Sequence, residues 1–300
     1  MKTLVTGGCG FIGSHLVELL LNEGHEVLVL DNFAHGSGES LAQCKHQERL
    51  TVVKADISQP GEWEKLFLGV DWVVHLAALI DIIESTELPR EYFNTNVQGT
   101  FNVLEAARAH SIKRFVYVNS GACYGLAESY PTKEDAPKRP QYPYALMKWV
   151  GEEFVIHWSL VYGLPAVSIR LFNLYGPRCS ALFGRFMQLM QAGKPLTLTG
   201  DGSQTRDFTY ITDVTSGILA ALKSAKVGEV YNIGSGDTVP VRKVAELLGA
   251  QINFIPRRPG EMDVTFGDIS KAQRDLDWKP KVSIEEGVAR MLQLLARGES

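Results

Sequence analysis

Cysteine is scarce and scattered: four in 300 residues (Cys9, Cys44, Cys123, Cys179), with no C-x-x-C pair and no His/Cys cluster at ligand spacing. That excludes a disulfide framework and leaves no basis for a metal site. Reduced thiols and a cytoplasmic protein are the expectation. No Lys/Arg-rich run occurs, and 30 basic residues against 34 acidic ones give a formal net charge of −4. Nucleic acid is therefore not an expected partner. No uninterrupted apolar run is long enough to span a bilayer, so no membrane association is expected. The opening "MKTLVTGG" turns directly into a glycine loop, so no signal-peptide segment is expected. Internal repeats and low-complexity tracts are missing too.

What the chain does contain is a regular alternation. "KTLVT", "EVLVLD", "LTVVKAD", "WVVHLAA", "RFVYVNS" and "PAVSIRLF" are short and apolar nearly throughout, as strands covered on both faces must be. Between them, stretches such as 13–23 and 96–109 repeat apolar residues every three to four positions, which predicts helices. Alternating strands and helices predict an α/β fold with a parallel, doubly wound sheet and right-handed crossovers. After about residue 173 the rhythm gives way to polar, Gly/Pro-marked segments, "GPRCS", "GDGSQTRD" and "RRPGE". The expectation is a first domain over 1–172 and a smaller lobe over 173–300, packed over the carboxyl ends of the strands. Segments near 205–236 are candidates for return to the first domain.

"LVTGGCGFIGSHL" sets Gly7, Gly10 and Gly13 between a strand ending at Thr6 and a helix starting near Phe11. Glycine there lets the backbone approach a pyrophosphate, and a helix N-terminus supplies N–H donors and a positive dipole end. The alternative is a tight turn with no ligand. Asp31 closes the next strand, 18 residues past Gly13. A carboxylate at that place accepts from both ribose hydroxyls and repels a 2′-phosphate. Asn32 follows with no arginine nearby, so NAD is favoured over NADP in a Rossmann-type domain.

In "PYALMK", Tyr144 and Lys148 stand four apart on a predicted helix, on one face. A neighbouring ammonium favours phenolate and is expected to lower the tyrosine pKa, making Tyr144 a base for a hydroxyl proton. An exposed helical Tyr–Lys pair is the alternative.

These motifs occur in order with "DNF", "ADI" at 55–57, "VVHLAA", "NTNVQGT", "NSGACYG", "RLFNLYGPR", "GDGSQTRDFTYITDV", "YNIGSG", "RRPGE" and "DLDWKP". Together they resemble the extended short-chain dehydrogenases/reductases, in particular the NAD-dependent nucleotide-sugar epimerase/dehydratase family and most of all its UDP-glucose (UDP-galactose) 4-epimerases. The resemblance spans nearly the whole chain. It implies that Ser120 hydrogen-bonds the reacting oxygen beside Tyr144 and Lys148, with a strand-end serine capping backbone as the alternative, and that Lys148 also holds the nicotinamide ribose. It places Phe11, Ile12 and Asn32 with the glycines and Asp31 around the dinucleotide, and Asp56 and Ile57 near adenine. Leu76, Ala77 and Ala78 would line the cofactor, Asn96 would support the site, and Phe172 would lie near nicotinamide. Asn173, Arg206 and Arg258 would bind the substrate; Arg257 rivals Arg258, and either candidate arginine has a surface or bracing role as its alternative.

Members of this family that dehydrate resemble S/T-D-E-x-Y-G at "SGACYG", and those that decarboxylate keep the second acid. Gly121 and Ala122 stand there instead, and neither can exchange a proton. Oxidation at one carbon and return of the hydride remain, which implies C4 epimerisation of a nucleotide-diphosphate sugar, with a UDP-hexose or derivative favoured. Thr199 replaces an aromatic expected near uracil, 177–186 is shorter than the family pattern, and Thr265 is small where plain-hexose enzymes are bulky. Competing readings are a nucleotide-sugar dehydratase or reductase, and a non-catalytic NAD-binding sensor. The helices around 96–109 and from Tyr144 past Trp158 resemble a four-helix dimer interface, so a homodimer is expected.

Overall fold

The computed structural model of the chain describes residues 1–36, 38–257 and 261–298. It divides into two units. The first comprises Met1–Gly125, Pro137–Arg170 and Ile218–Tyr231; the second comprises Leu126–Ala136, Leu171–Gly217 and Asn232–Ser300. A single break after residue 172 does not provide for Leu126–Ala136, which joins the second unit. That segment pairs there: Thr132 N donates to Phe266 O at 2.8 Å, and Thr132 O accepts from Asp268 N at 2.8 Å.

A seven-stranded sheet organises the first unit, in the order Glu229–Ile233, Ala166–Leu171, Arg114–Ser120, Trp72–His75, Lys2–Thr6, Glu26–Asp31, Leu50–Lys54. The last two of these strands run parallel to one another, as do the pairs linking Arg114–Ser120, Trp72–His75, Lys2–Thr6 and Glu26–Asp31. Leu4, Val5, Val73, Val74, Phe115 and Val116 are fully buried, which is why these strands carry no polar alternation. Each such side chain stabilises the fold by about 1.5–3 kcal/mol. Strand order reverses between Lys2–Thr6 and Trp72–His75. Loops leaving the carboxyl ends of two such strands diverge and leave a crevice between them, where open α/β sheets take ligands.

The helix predicted over 13–23 spans Phe11–Asn22. The one predicted over 96–109 is part of a longer run: an α-helix at Pro89–Phe93, a π-helical segment at Asn94–Gln98, then an α-helix at Gly99–Ala109. The polar "NTN" hides this continuity from a search for apolar periodicity.

Short sheets build the second unit. Thr205–Arg206 lies between Val239–Pro240 and Val264–Thr265, Asn173–Tyr175 pairs with Phe208–Tyr210, and Leu196–Thr199 pairs with Ile252–Ile255. Tyr175, Phe183, Phe208 and Tyr210 pack as an aromatic core, with Tyr175 stacked on Phe183 at 4.3 Å. Fully buried Asp207 accepts from the N–H and hydroxyl of Ser235 (both 2.7 Å), tying "YNIGSG" to "RDF". Among the described residues, no helix is long and apolar enough to cross a membrane.

Candidate active site

The glycine loop is shaped by its neighbours. Gly7 has φ +71°, and a Cβ there would lie 2.7 Å from Ala77 N, so a side chain meets both strain and backbone. A Cβ on Gly13 would overlap the Gly7 carbonyl, whereas one on Gly10 would meet nothing nearer than 3.4 Å. Two glycines therefore serve close packing, and the third leaves backbone open. Gly10 caps the helix Phe11–Asn22 without a side-chain acceptor, so the first-turn N–H groups, including those of Phe11, Ile12 and Gly13, have no capping partner. Asp31 is nearly buried; Oδ2 accepts from Cys9 N at 2.9 Å and Oδ1 from Phe33 N at 2.8 Å. Burial and the Asp31 charge push the Cys9 thiol up to about 12, so it stays protonated. Asn32 Oδ1 accepts from Ala34 N, Asp56 Oδ1 from Ser58 N, and the Ile57 carbonyl from Asn102 Nδ2.

Opposite this loop run Leu76, Ala77 and Ala78, half-buried. They are held by a chain of hydrogen bonds that sequence reasoning missed. Ala77 N donates to Thr6 Oγ1 at 3.2 Å, and Thr6 Oγ1 lies 2.7 Å from His75 Nδ1. His75 Nε2 lies 3.0 Å from Thr100 Oγ1, which donates to Asn96 O at 2.7 Å. Because Thr100 spends its proton on the carbonyl, His75 must donate from Nε2 and accept at Nδ1. Burial, then the Lys148 charge, lowers the His75 pKa to about 3, so the ring is neutral. The signal was the His of "VVHLAA", one residue past a strand's apolar core. Asn96 itself is 1% exposed and pairs with both polar backbone atoms of Leu79.

Ser120 ends the strand Arg114–Ser120; Tyr144 and Lys148 sit in the first turns of the helix Pro143–Tyr162, started by Pro143 at its first position. The structure sets Ser120 beside Tyr144, with Lys148 one helical turn further on. Ser120 Oγ accepts from Ala122 N at 3.2 Å, and the Ser120 hydroxyl hydrogen-bonds Tyr144. Lys148 Nζ lies 4.2 Å from the centre of the Tyr117 ring. The expectation that an ammonium lowers the tyrosine pKa is not met. Burial raises Tyr144, with the Ser120 hydrogen bond pulling back only in part, and burial lowers Lys148 to about 7 against the opposing charge of Glu152. Loss of water acts on both groups at once, and it disfavours the charged form of each. The 3₁₀ turn Gly121–Tyr124 carries no acid.

In the second unit, Asn173 Oδ1 accepts from Thr265 Oγ1 at 2.8 Å, leaving its amide N–H groups to point elsewhere. Arg206 is mostly buried and lies 3.7 Å from Glu261, which in turn accepts from Thr199 Oγ1 at 2.9 Å. Gln204 Nε2 donates to Thr199 at 2.9 Å. Thr199 thus holds the carboxylate that faces Arg206, a role its difference from an aromatic did not reveal. The Phe172 ring packs so closely on Gly267 that no Cβ fits there. Arg257 is exposed and bonds Glu261 O and Asp263; Arg258 lies outside the described residues. Among the described residues, no group of three or more His, Cys, Asp or Glu could hold a metal ion.

Residues 4–291 match the family described as GDP-mannose 4,6 dehydratase. UDP-glucose 4-epimerase from Mycolicibacterium smegmatis is 34% identical over 98% of each chain. UDP-glucuronate 4-epimerase from Thermodesulfobacterium geofontis is 34% identical over 96% of this chain and 94% of its own. The crystal structure of UDP-glucuronic acid 4-epimerase from Bacillus cereus, in complex with UDP-glucuronic acid and NAD, superposes with a TM-score of 0.92 at 33% identity over 99% of both chains.

Proposed function

The chain belongs to the GDP-mannose 4,6 dehydratase family, and from that premise we propose that it is an NAD-dependent nucleotide-sugar 4-epimerase acting on a UDP-hexose or a derivative of one. The observation that carries the reading is the group Ser120, Tyr144 and Lys148 beside a turn in which Gly121 and Ala122 stand in place of acids. Elimination and decarboxylation need a proton-exchanging group there. Epimerisation does not.

The residues fit a dinucleotide. Gly7 and Gly13 close the turn while Gly10 leaves backbone open to a pyrophosphate, with Phe11 and Ile12 at the helix start. Asp31, preset by two backbone N–H groups, suits a ribose diol, with Asn32 beside it. Asp56, Ile57, Leu76, Ala77, Ala78, Asn96 and Phe172 complete the set we assign to the cofactor. NAD held by these residues would supply the redox chemistry, as acceptor and then donor of the hydride at the sugar C4. Tyr144 takes the 4-hydroxyl proton and gives it back; Ser120 hydrogen-bonds the same oxygen. Lys148 binds the nicotinamide ribose. Asn173, Arg206 and Arg258 hold the nucleotide diphosphate, forked guanidinium donors matching paired phosphate oxygens. Between the two transfers the 4-keto sugar turns over, and no net oxidation results.

We also infer a cytoplasmic homodimer. The helices Gly99–Ala109 and Pro143–Tyr162 share an aromatic seam of Phe101, Phe154, Trp158 and Tyr162, and Leu160 is 81% exposed. A monomer mass by light scattering would reject the dimer.

The deciding experiment incubates the protein with NAD⁺ and a panel of UDP-, GDP- and CDP-sugars, read by chromatography with mass detection. Glucose, N-acetylglucosamine and glucuronate forms belong in it. A new peak of unchanged mass supports the epimerase and names the substrate. A product lighter by water or carbon dioxide overturns it.

A further inference from the structure

Two turns past Tyr144 and one past Lys148, the helix Pro143–Tyr162 presents Glu152 on the same face. Glu152 is 1% exposed and sits against two adjacent strands. Its Oε2 accepts from Asn119 Nδ2 at 2.8 Å and from Ser168 Oγ at 2.7 Å. Arg170, 2% exposed, donates to it from Nη2 at 2.5 Å and from Nε at 3.1 and 3.2 Å. Ser168 and Arg170 share a sheet face because they are two apart on the strand Ala166–Leu171.

The pair reaches both ends of the loop that carries Ser120. At the near end, Asn119 donates to Glu152 with its amide nitrogen and accepts the Ser120 N–H at 2.7 Å with its amide oxygen. At the far end, Arg170 Nη1 donates to the Tyr124 hydroxyl at 2.7 Å, and the guanidinium lies 4.8 Å over the Tyr124 ring. Nothing in this arrangement touches a reacting atom. Burying two charges is a weak source of stability, since well-packed apolar residues of similar size commonly do as well. What an apolar pair could not do is fix the amide plane of Asn119 and the ring of Tyr124 together.

We propose that Glu152 and Arg170 are positioning residues for the reaction: the buried pair sets the Ser120–Tyr124 loop, through Asn119 and Tyr124, so that the Ser120 hydroxyl meets Tyr144. This rests on the epimerase reading for its consequence in turnover, but not for its consequence in loop order. Small misplacements of a group that orients a reacting atom are costly to rate while leaving binding intact.

The test compares three variants with the parent. Glu152→Met/Arg170→Met removes the pair while filling its volume. Asn119→Ala cuts the link to Ser120 and keeps the pair. Glu152→Gln keeps an acceptor for Asn119 and Ser168. Hydrogen–deuterium exchange, which needs no substrate, should show faster exchange across 119–125 in the first two variants, with the helix Phe11–Asn22 unchanged. On the substrate named by the panel, their kcat should fall at least roughly tenfold with KM within about twofold. Glu152→Gln, which keeps one acceptor oxygen but leaves the buried Arg170 without its counter-charge, should lose less kcat than the double variant. If the double variant does not fold, Asn119→Ala carries both readouts alone. Parent-like exchange in the 119–125 segment, or parent-like kcat, in a folded form of either of the first two variants would overturn the proposal. A parent that does not epimerise at all, with the loop still loosened in the variants, would instead count against the epimerase reading.

Discussion

Asn96 grips the backbone of Leu79 with both ends of its side-chain amide, donating from Nδ2 to Leu79 O at 2.9 Å and accepting Leu79 N at Oδ1 at 2.8 Å. The grip ties a π-helical segment to the loop that leaves the strand Trp72–His75. One backbone donor and one acceptor depend on it. Asn96→Ala leaves both without their partner, at a cost of about 1–3 kcal/mol. We expect a matching drop in the urea midpoint and weaker NAD binding in a titration. Parent-like values for both would mean that the loop holds its shape without Asn96.

Tyr144→Phe keeps the ring and removes the exchanging proton. Turnover should fall by roughly 10²–10⁴, while binding of NAD and nucleotide sugar persists. Near-parent kcat in steady-state assays would remove Tyr144 from the chemistry.

Lys148 gives a pH signature that needs no substrate. Burial lowers its pKa to about 7 from the usual 10.5, so between those values the unfolded chain binds the extra proton. Stability therefore rises with pH across this window, and below about 7 the fold carries the full cost of a buried charge. Relative to Lys148→Met, the parent should gain on the order of a few kcal/mol between about pH 7 and 10. Urea denaturation at three pH values measures it. A constant difference would show that the ammonium stays charged and solvated in the fold.

Asp31 should decide the cofactor. With its carboxylate fixed by Cys9 N and Phe33 N, it cannot swing away from a 2′-phosphate. NAD should bind at least about tenfold more tightly than NADP, and Asp31→Ser should narrow that ratio. Tighter binding of NADP by the parent, read by calorimetry, would contradict this assignment.

Thr265 tests the sugar. Its hydroxyl donates to Asn173, so Thr265→Val removes the bond at constant bulk, and Thr265→Tyr adds bulk. If this residue admits a C2 substituent, Thr265→Tyr should lose much more activity on an N-acetylated UDP-hexose than on the plain hexose, while Thr265→Val affects both alike. Equal losses from Thr265→Tyr would show that the substituent lies elsewhere.

Much of this molecule was written locally. The apolar runs that became strands, the glycine loop between Thr6 and Phe11, Asp31 at a strand end and the Tyr144–Lys148 spacing each follow from a handful of neighbouring residues. Backbone sterics and side-chain period act over that range. Tertiary structure decided what depends on partners distant in sequence. Arg170 meets Glu152 and Tyr124 only because its strand lies beside Arg114–Ser120 in the sheet. His75 becomes a neutral link between Thr6 and Thr100 only once all three are buried. Removal of water, which no spacing encodes, set the protonation of the site: it raised Tyr144 and lowered Lys148, where charge pairing alone predicts the opposite for the tyrosine.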